Sequence, residues 1–312
     1  MRVTVVIPTY GIERIGDTFQ SVDSVLGQAD ADVEIIVVAD ENEELLRMLR
    51  EKYRDKITLA PNKEKGLSKA RNLGTKLATG EVVAFIDDDA VACAGWIAAI
   101  RHGFSGRPEA GAMTGQIEPE WTNGQAAWFA RELYWMISCT YDEVEDGAEV
   151  PTVIGTNMAV RKELLVELGG FSDRLGAVQK WKRERGIWVQ RCGVVGEERE
   201  LCMRIGSTGK KNIYAKGMQV RHKVYPYRIA VKNLLKRGYW EGYSKDLLKG
   251  QYKGDGEALS MEMDYGIRLI RNYFRSGLGC GSACRCRQYA TTLSVMASVG
   301  LGYAAYKLGA GR

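Results

Sequence analysis

The stretch Val82-Val83-Ala84-Phe85-Ile86-Asp87-Asp88-Asp89 decides how this chain reads. Five consecutive apolar residues read as a strand buried on both faces. Three carboxylates at its C-terminal tip repel one another and resist leaving water, so the turn needs a compensating positive charge. Mg²⁺ and Mn²⁺ prefer hard oxygen ligands, and Mg²⁺ shares its coordination positions between waters, one or two carboxylates and substrate phosphates. In open α/β sheets, ligands bind just beyond the carboxyl ends of the strands. A strand, an acid cluster, a metal and a phosphate form the reading that follows; the alternative is a solvated acidic turn.

The residues around this strand alternate in the same way. Residues 3–7 read as a first strand ended by Pro8, and a helix with Ile15, Phe19, Val22 and Leu26 on one face follows. Residues 33–38 and 57–60 read as strands, and residues 41–53 and Leu67–Leu77 as helices. This βαβαβαβ order implies a parallel sheet with helices on both faces. A helix at 94–103 and strands near 111–117 continue the pattern. Residues 118–150 read as loop with one helix around 126–137. Residues 172–196 read as irregular, with Lys180, Lys182, Arg183, Arg185 and Arg191 set among Trp181 and Trp188. Residues 218–220 read as a last short strand before His222.

The bulk numbers allow one large domain or two smaller ones: 312 residues, 45% apolar and 27% charged, with ample material for a core. The net charge of +5 is unevenly placed, because residues 210–253 carry twelve Lys or Arg against Glu241 and Asp246. Such a block suggests an anionic surface or ligand nearby. Seven cysteines without framework spacing read as reduced thiols, and Cys280, Cys284 and Cys286 lack a zinc pattern. The apolar start is too short for a signal peptide. Residues 229–237 read as a basic amphipathic helix and 250–264 as linker. Residues 288–306 carry no charge and are bracketed by Arg285, Arg287 and Lys307. As a helix they would reach roughly 28 Å at ~1.5 Å per residue, close to a bilayer core. Thr291, Thr292, Ser294, Ser298 and three tyrosines weaken that signal. A single span, an interfacial helix and a soluble packing helix compete; the basic flanks favour membrane contact.

The motifs assemble into a set. Val5-Val6-Ile7-Pro8-Thr9-Tyr10, Val37-Val38-Ala39-Asp40 and Gly66-Leu67-Ser68-Lys69-Ala70-Arg71-Asn72-Leu73-Gly74 resemble the nucleotide half of glycosyltransferase family 2. Phe85-Ile86-Asp87-Asp88-Asp89 resembles that family's D-x-D segment, and Gly155-Thr156-Asn157-Met158-Ala159-Val160-Arg161 with Gly169-Gly170-Phe171 its acceptor-side signature. Gly196-Glu197-Glu198-Arg199-Glu200-Leu201-Cys202-Met203-Arg204 is similar to its E-D-x-D-L-x-x-R segment, and Val220-Arg221-His222 matches its late histidine.

This resemblance implies the GT-A fold, a mixed Rossmann-like α/β sheet, over residues 1–223. It also implies an NDP-sugar donor, with UDP the favoured nucleotide, a Mg²⁺ or Mn²⁺ ion, and inversion at the anomeric carbon. Residues 224–312 then form a basic helical region with a weakly apolar, membrane-associating tail. Pro8, Thr9 and Tyr10 would lie against the nucleobase. Asp40 would accept the uracil N3–H, with Ala39 in place of the family's first aspartate; a helix N-cap is the alternative for Asp40. Arg71 would reach base or phosphates, or else form a surface ion pair. Asp87 would take a ribose hydroxyl, Asp88 stand by on the donor side, and Asp89 ligate the metal with His222. The family's catalytic base is an aspartate; here Glu198 holds that position, with Glu197 the fallback and an acidic helix start the plain alternative. The acceptor would be a glycan hydroxyl, most simply on a polyprenyl-phosphate-linked sugar, at the cytoplasmic face of a membrane, with no nucleic acid involved.

Three other classes compete. A haloacid-dehalogenase-type phosphatase would use Asp87 and Asp89, but three strands precede the motif here and no later G-D-x-x-x-D follows. A nucleotidyltransferase would need a glycine-rich loop that residues 7–10 lack. A non-catalytic module binding membrane or nucleic acid through residues 210–253 leaves the acid triplet unexplained.

Overall fold

A computed structural model describes residues 1–312 apart from 125, 142–143, 174, 176–179, 185–186, 192–193, 253–270, 272–282 and 310–312, with backbone alone for 180–184, 187–191 and 283. The chain begins β1 (Val3–Thr9), α1 (Ile15–Leu26), β2 (Val33–Asp40), α2 (Glu43–Tyr53), β3 (Thr58–Asn62), α3 (Leu67–Leu77), β4 (Val82–Ile86). Every residue of β1 and β4 is buried, as unbroken apolar runs require. β1 pairs in parallel with β2 and β4, and β2 with β3.

The chain continues through β5 (Ala90–Ala92), α4 (Trp96–Gly106), β6 (Ala110–Thr114), β7 (Ile117–Trp121), β8 (Asn157–Arg161) and α5 (Lys162–Glu167). Then come β9 (Lys180–Glu184), β10 (Ile187–Arg191), α6 (Glu197–Ser207), β11 (Lys211–Tyr214), β12 (Val220–Val224), α7 (Val231–Gln251) and α8 (Ala283–Lys307). The main sheet has the order β11-β6-β8-β4-β1-β2-β3, and it is mixed because β8 runs antiparallel to both β4 and β6. A three-stranded sheet, β5-β12-β7, stands beside the acid triplet.

Two compact units are present: residues 1–120, 142–179 and 197–223 in the first, and 121–141, 180–196 and 224–312 in the second. Within the first, α3 seats closely on β1. Gly74 permits this, because a Cβ there would overlap Val6 Cγ1.

Several elements differ from the sequence reading. The buried residues of α1 are Thr18, Ser21, Val22 and Val25; of the expected Ile15, Phe19, Val22 and Leu26, Val22 is buried and the other three are half-buried. Its polar members have partners: Thr18 and Thr9 hydroxyls lie 3.1 Å apart, and Ser21 donates to the Asp87 carbonyl at 3.1 Å. Apolar periodicity cannot register a face whose neighbours are backbone and hydroxyl groups. α2 starts at Glu43 because Asn42 accepts from the Glu44 and Leu45 amides, both at 3.1 Å; Asp40 is therefore not its N-cap. β9 and β10 form an antiparallel hairpin inside the stretch read as irregular. A 3-10 helix, Arg131–Ile137, stands where residues 126–137 were expected to be helical. β12 extends past the expected 218–220 and contains His222. α7 runs for 21 residues, well beyond 229–237. Most of the expected linker at 250–264 lies outside the described residues.

In the second unit α7 and α8 approach closely through small residues. A Cβ on Gly242 would overlap the Val299 carbonyl oxygen, and one on Gly302 that of Tyr239. Among the described residues, no helix is long and apolar enough to cross a membrane. Cys93, Cys139, Cys202 and Cys284 are free thiols, whereas Cys286 is disulfide-bonded, against the expectation of reduced thiols throughout.

Candidate active site

Two pairing registers build the site. β12 runs antiparallel to β5 with His222 opposite Ala90, and the Lys223 amide donates to the Asp89 carbonyl at 2.9 Å, so the late histidine lies beside the acid triplet. β8 runs antiparallel to β4 with Asn157 opposite Ile86, which sets Thr156 against Asp87. The Thr156 hydroxyl donates to Asp87 Oδ2 at 2.7 Å. Asn157 accepts from Trp96 Nε1 at 2.8 Å and donates to the Met218 carbonyl at 2.8 Å, tying this corner together.

Ligand atoms of Asp87, Asp89 and His222 lie within 4.8 Å of one another. His222 is fully buried, and its Nε2 lies 3.2 Å from Asp89 Oδ1. Like charges about 4 Å apart repel by roughly 4 kcal/mol at an effective dielectric near 20, so the triplet needs cations. Arg14, at the entry to α1, supplies one: Nη1 reaches Asp89 Oδ2 at 3.0 Å and Nη2 contacts Asp88 Oδ1. Burial pushes the Asp88 carboxyl up to about 6, the Asp89 charge adds to this, and Arg14 and the Thr9 hydroxyl (2.9 Å) oppose it. Asp88 is thus a buried, bonded member of the cluster. Two carboxylates and an imidazole, converging where a guanidinium already stands against the charge, fit a Mg²⁺ or Mn²⁺ ion.

A second cation completes the arrangement. Arg71 projects from α3 with a side chain only 1% exposed. Its Nη1 donates to Glu198 Oε1 at 2.9 Å and lies 3.4 Å from Glu197 Oε1, and its Nη2 lies 3.6 Å from Asp87 Oδ1. Burial opposes the Arg71 charge, but Glu198, Asp87 and Glu197 outweigh it and raise its pKa above the usual guanidinium value. Both glutamates open α6. The Glu198 side chain is 21% exposed and that of Glu197 6%.

The expected site residues therefore divide. Asp87, Asp89, His222, Arg71, Glu197 and Glu198 form one connected cluster. Thr9 spends its hydroxyl on Asp88, and the Tyr10 ring lies 5.4 Å from the Arg14 guanidinium carbon. Pro8 lies in buried β1. Asp40, at the tip of β2, accepts from Asn62 Nδ2 at 3.0 Å, and burial raises its pKa against that bond and the Lys65 charge. Sequence reasoning missed Arg14, for which no motif exists, and the role of Thr156, which sat inside a quoted motif. It also missed buried Lys223, paired with Asp17 at 2.6 Å. Arg204 bonds Glu200 and the Leu168 and Gly170 carbonyls, which anchors α6 to the end of α5.

Comparison with known proteins identifies the family and the fold. The profile of glycosyl transferase family 2 matches residues 4–169. A Haloferax volcanii protein named glucosyl-dolichyl phosphate glucuronosyltransferase is 32% identical over 97% of this chain and 95% of its own length. The chain belongs to glycosyltransferase family 2 and is a glycosyltransferase; the phosphatase and binding-module readings fall away. Mannosyltransferase PcManGT of Pyrobaculum calidifontis, solved with GDP-Man and Mn²⁺, superposes with a TM-score of 0.64 at 18% identity, covering 99% of this chain and 87% of that one. S. aureus TarS residues 1–349, solved with UDP, superposes at 0.51 and 15% identity, covering 99% and 92%. At these identities the likeness concerns the GT-A-like fold alone.

Proposed function

We propose that this chain is an inverting, Mg²⁺- or Mn²⁺-dependent transferase that moves a sugar from an NDP-sugar, with UDP the favoured nucleotide, to a hydroxyl of a polyprenyl-phosphate-linked sugar. The observation that carries it is the convergence of Asp87, Asp89 and His222 within 4.8 Å of one another, joined through Arg71 to Glu198. Asp87, Asp89 and His222 would hold the ion. When bound, such an ion supplies positive charge against a leaving diphosphate. Arg14 and Thr9 keep Asp88 and Asp89 in place. The tip of β2, with Asp40, suits the nucleobase.

Glu198, the more exposed of the two glutamates, is the base: its free oxygen takes the proton from the acceptor hydroxyl as that oxygen attacks the anomeric carbon. Inversion follows from attack on the face opposite the diphosphate. The name of the Haloferax relative makes a UDP-glucuronic acid the first donor to test and a lipid-linked glucose the first acceptor. The C-terminal unit suits a cytoplasmic membrane surface. On α8, Ala290, Leu293, Ala297, Leu301 and Ala304, with Leu308 just after it, are exposed on an uncharged face bounded by Arg285, Arg287 and Lys307.

Thermal denaturation of the full chain with Mn²⁺ and a panel of NDP-sugars tests the donor. A ligand at a hundred times its Kd adds about 2.7 kcal/mol of stability, so one donor is expected to raise the melting point and release NDP, with both effects lost on chelation. Metal-dependent phosphate release from monoesters, with no response to any NDP-sugar, would overturn the proposal.

A further inference from the structure

We infer that the buried Asp17–Lys223 ion pair positions His222 toward the cation and thereby sets a preference for Mn²⁺ over Mg²⁺. The inference rests on the transferase reading above, in which His222 is a cation ligand, and adds two positioning residues outside the ligand set.

Three observations carry it. First, the pair is enclosed. Lys223 Nζ donates to Asp17 Oδ1 at 2.6 Å, and the two side chains are only 9% and 12% exposed. A buried ion pair recovers little net stability after its desolvation, and its best-attested use is to fix which elements meet and in what register. Second, Lys223 is held at two points. Its ammonium is held by α1, and its amide donates to the Asp89 carbonyl at 2.9 Å. His222, the preceding residue of β12, pairs with Ala90 of β5 and brings Nε2 to 3.2 Å from Asp89 Oδ1. Successive residues of a strand project to opposite faces, so the grip on Lys223 sets the rotation of β12 and, with it, the direction of the imidazole. Third, Asp17 belongs to a polar helical face that serves the acid triplet throughout. Arg14, Asp17, Thr18 and Ser21 share that face at helical spacing. Arg14 contacts Asp88 and Asp89, Thr18 meets the Thr9 hydroxyl that bonds Asp88, and Ser21 donates to the Asp87 carbonyl. Asp17 is the member of the face that reaches β12. One helix entry thus places the carboxylates and the imidazole in a common frame.

The consequence is chemical. Mg²⁺ takes oxygen ligands and tolerates little departure from octahedral geometry. A nitrogen ligand held in place favours a first-row transition ion over it. With the imidazole unfixed, the carboxylates alone would treat the two ions more nearly alike.

Cation binding to the full chain in the presence of UDP tests this, with Mn²⁺ read by its paramagnetic resonance signal and Mg²⁺ by competition. The double variant D17N/K223M removes both charges together, so neither is left buried alone. Loss of a residue that orients a metal ligand costs about 10–100-fold in affinity. D17N/K223M should therefore weaken Mn²⁺ by about tenfold or more while Mg²⁺ stays within about threefold of wild type. K223R, which keeps the charge, should retain most of the preference. On an H222N background D17N/K223M should cost nothing further, because the ligand it positions is already gone. D17N alone, which keeps the volume and an acceptor for Lys223, serves should the double variant fail to fold, and it too should lower the Mn²⁺ to Mg²⁺ preference. Parallel weakening of both ions, losses that multiply on the H222N background, or an unchanged preference in D17N overturn the inference. So does a UDP affinity in EDTA that falls as far in D17N/K223M as its Mn²⁺ affinity, because Lys223 would then be a phosphate ligand. A wild type that binds neither ion overturns the cation reading beneath, a result distinct from a variant that keeps the preference of a wild type that binds.

Discussion

Asp89 shows how much of this site rests on single side chains. One of its oxygens accepts from Arg14 and the other faces His222, while its main-chain carbonyl continues the ladder to β12. The acids and the histidine were legible in the sequence because a carboxylate triplet after an apolar run is chemically costly to fold without a reason. Arg71 was legible as part of a quoted motif, though not its acid partners; Arg14 was not, because a lone basic residue at a helix entry carries no pattern of its own. Asp89→Asn keeps the volume and removes the charge. Metal-dependent transfer is expected to fall by roughly 10²-fold, the scale of losing one electrostatic stabiliser of a transition state, while the unfolding transition stays cooperative. Full turnover in Mn²⁺ would remove Asp89 from the ligand set.

Elements of the first unit followed the apolar pattern wherever a strand is buried on both faces, as in β1, β2 and β4. The pattern failed where an element packs against polar groups, and α1 is the case in point: its inward threonine and serine bond the tips of β1 and β4. The motif around α3 gained a packing reason in addition to its functional one, since Gly74 seats the helix on Val6. Gly74→Ala tests this with opposing magnitudes. Helix propensity gains up to about 1 kcal/mol, while overpacking costs roughly 1–3 kcal/mol. A lower urea midpoint is expected, and a raised one would refute the close seating.

At the scale of the whole molecule, the C-terminal unit raises the question of the surface it meets. α8 buries Val295 and Val299 and leaves Leu293 and Leu301 58% and 66% exposed, and Leu308 just after it is 84% exposed. Replacing these three leucines by glutamine is expected to reduce cosedimentation with vesicles containing anionic lipid, and to leave NDP release from the donor unchanged. Equal binding by the variant and the native chain would refute the membrane surface. The sequence by itself determined the βαβ alternation, the acid triplet and its need for a cation, and the family, because each is written in contiguous residues. Only the tertiary structure decided that Thr156, Arg14, Arg71, Glu198 and His222 meet around that triplet. Their meeting depends on the antiparallel registers of β8 on β4 and β12 on β5, and on the placing of α1, α3 and α6. Such long-range pairings are set by how the whole chain packs, and no local run of residues encodes them.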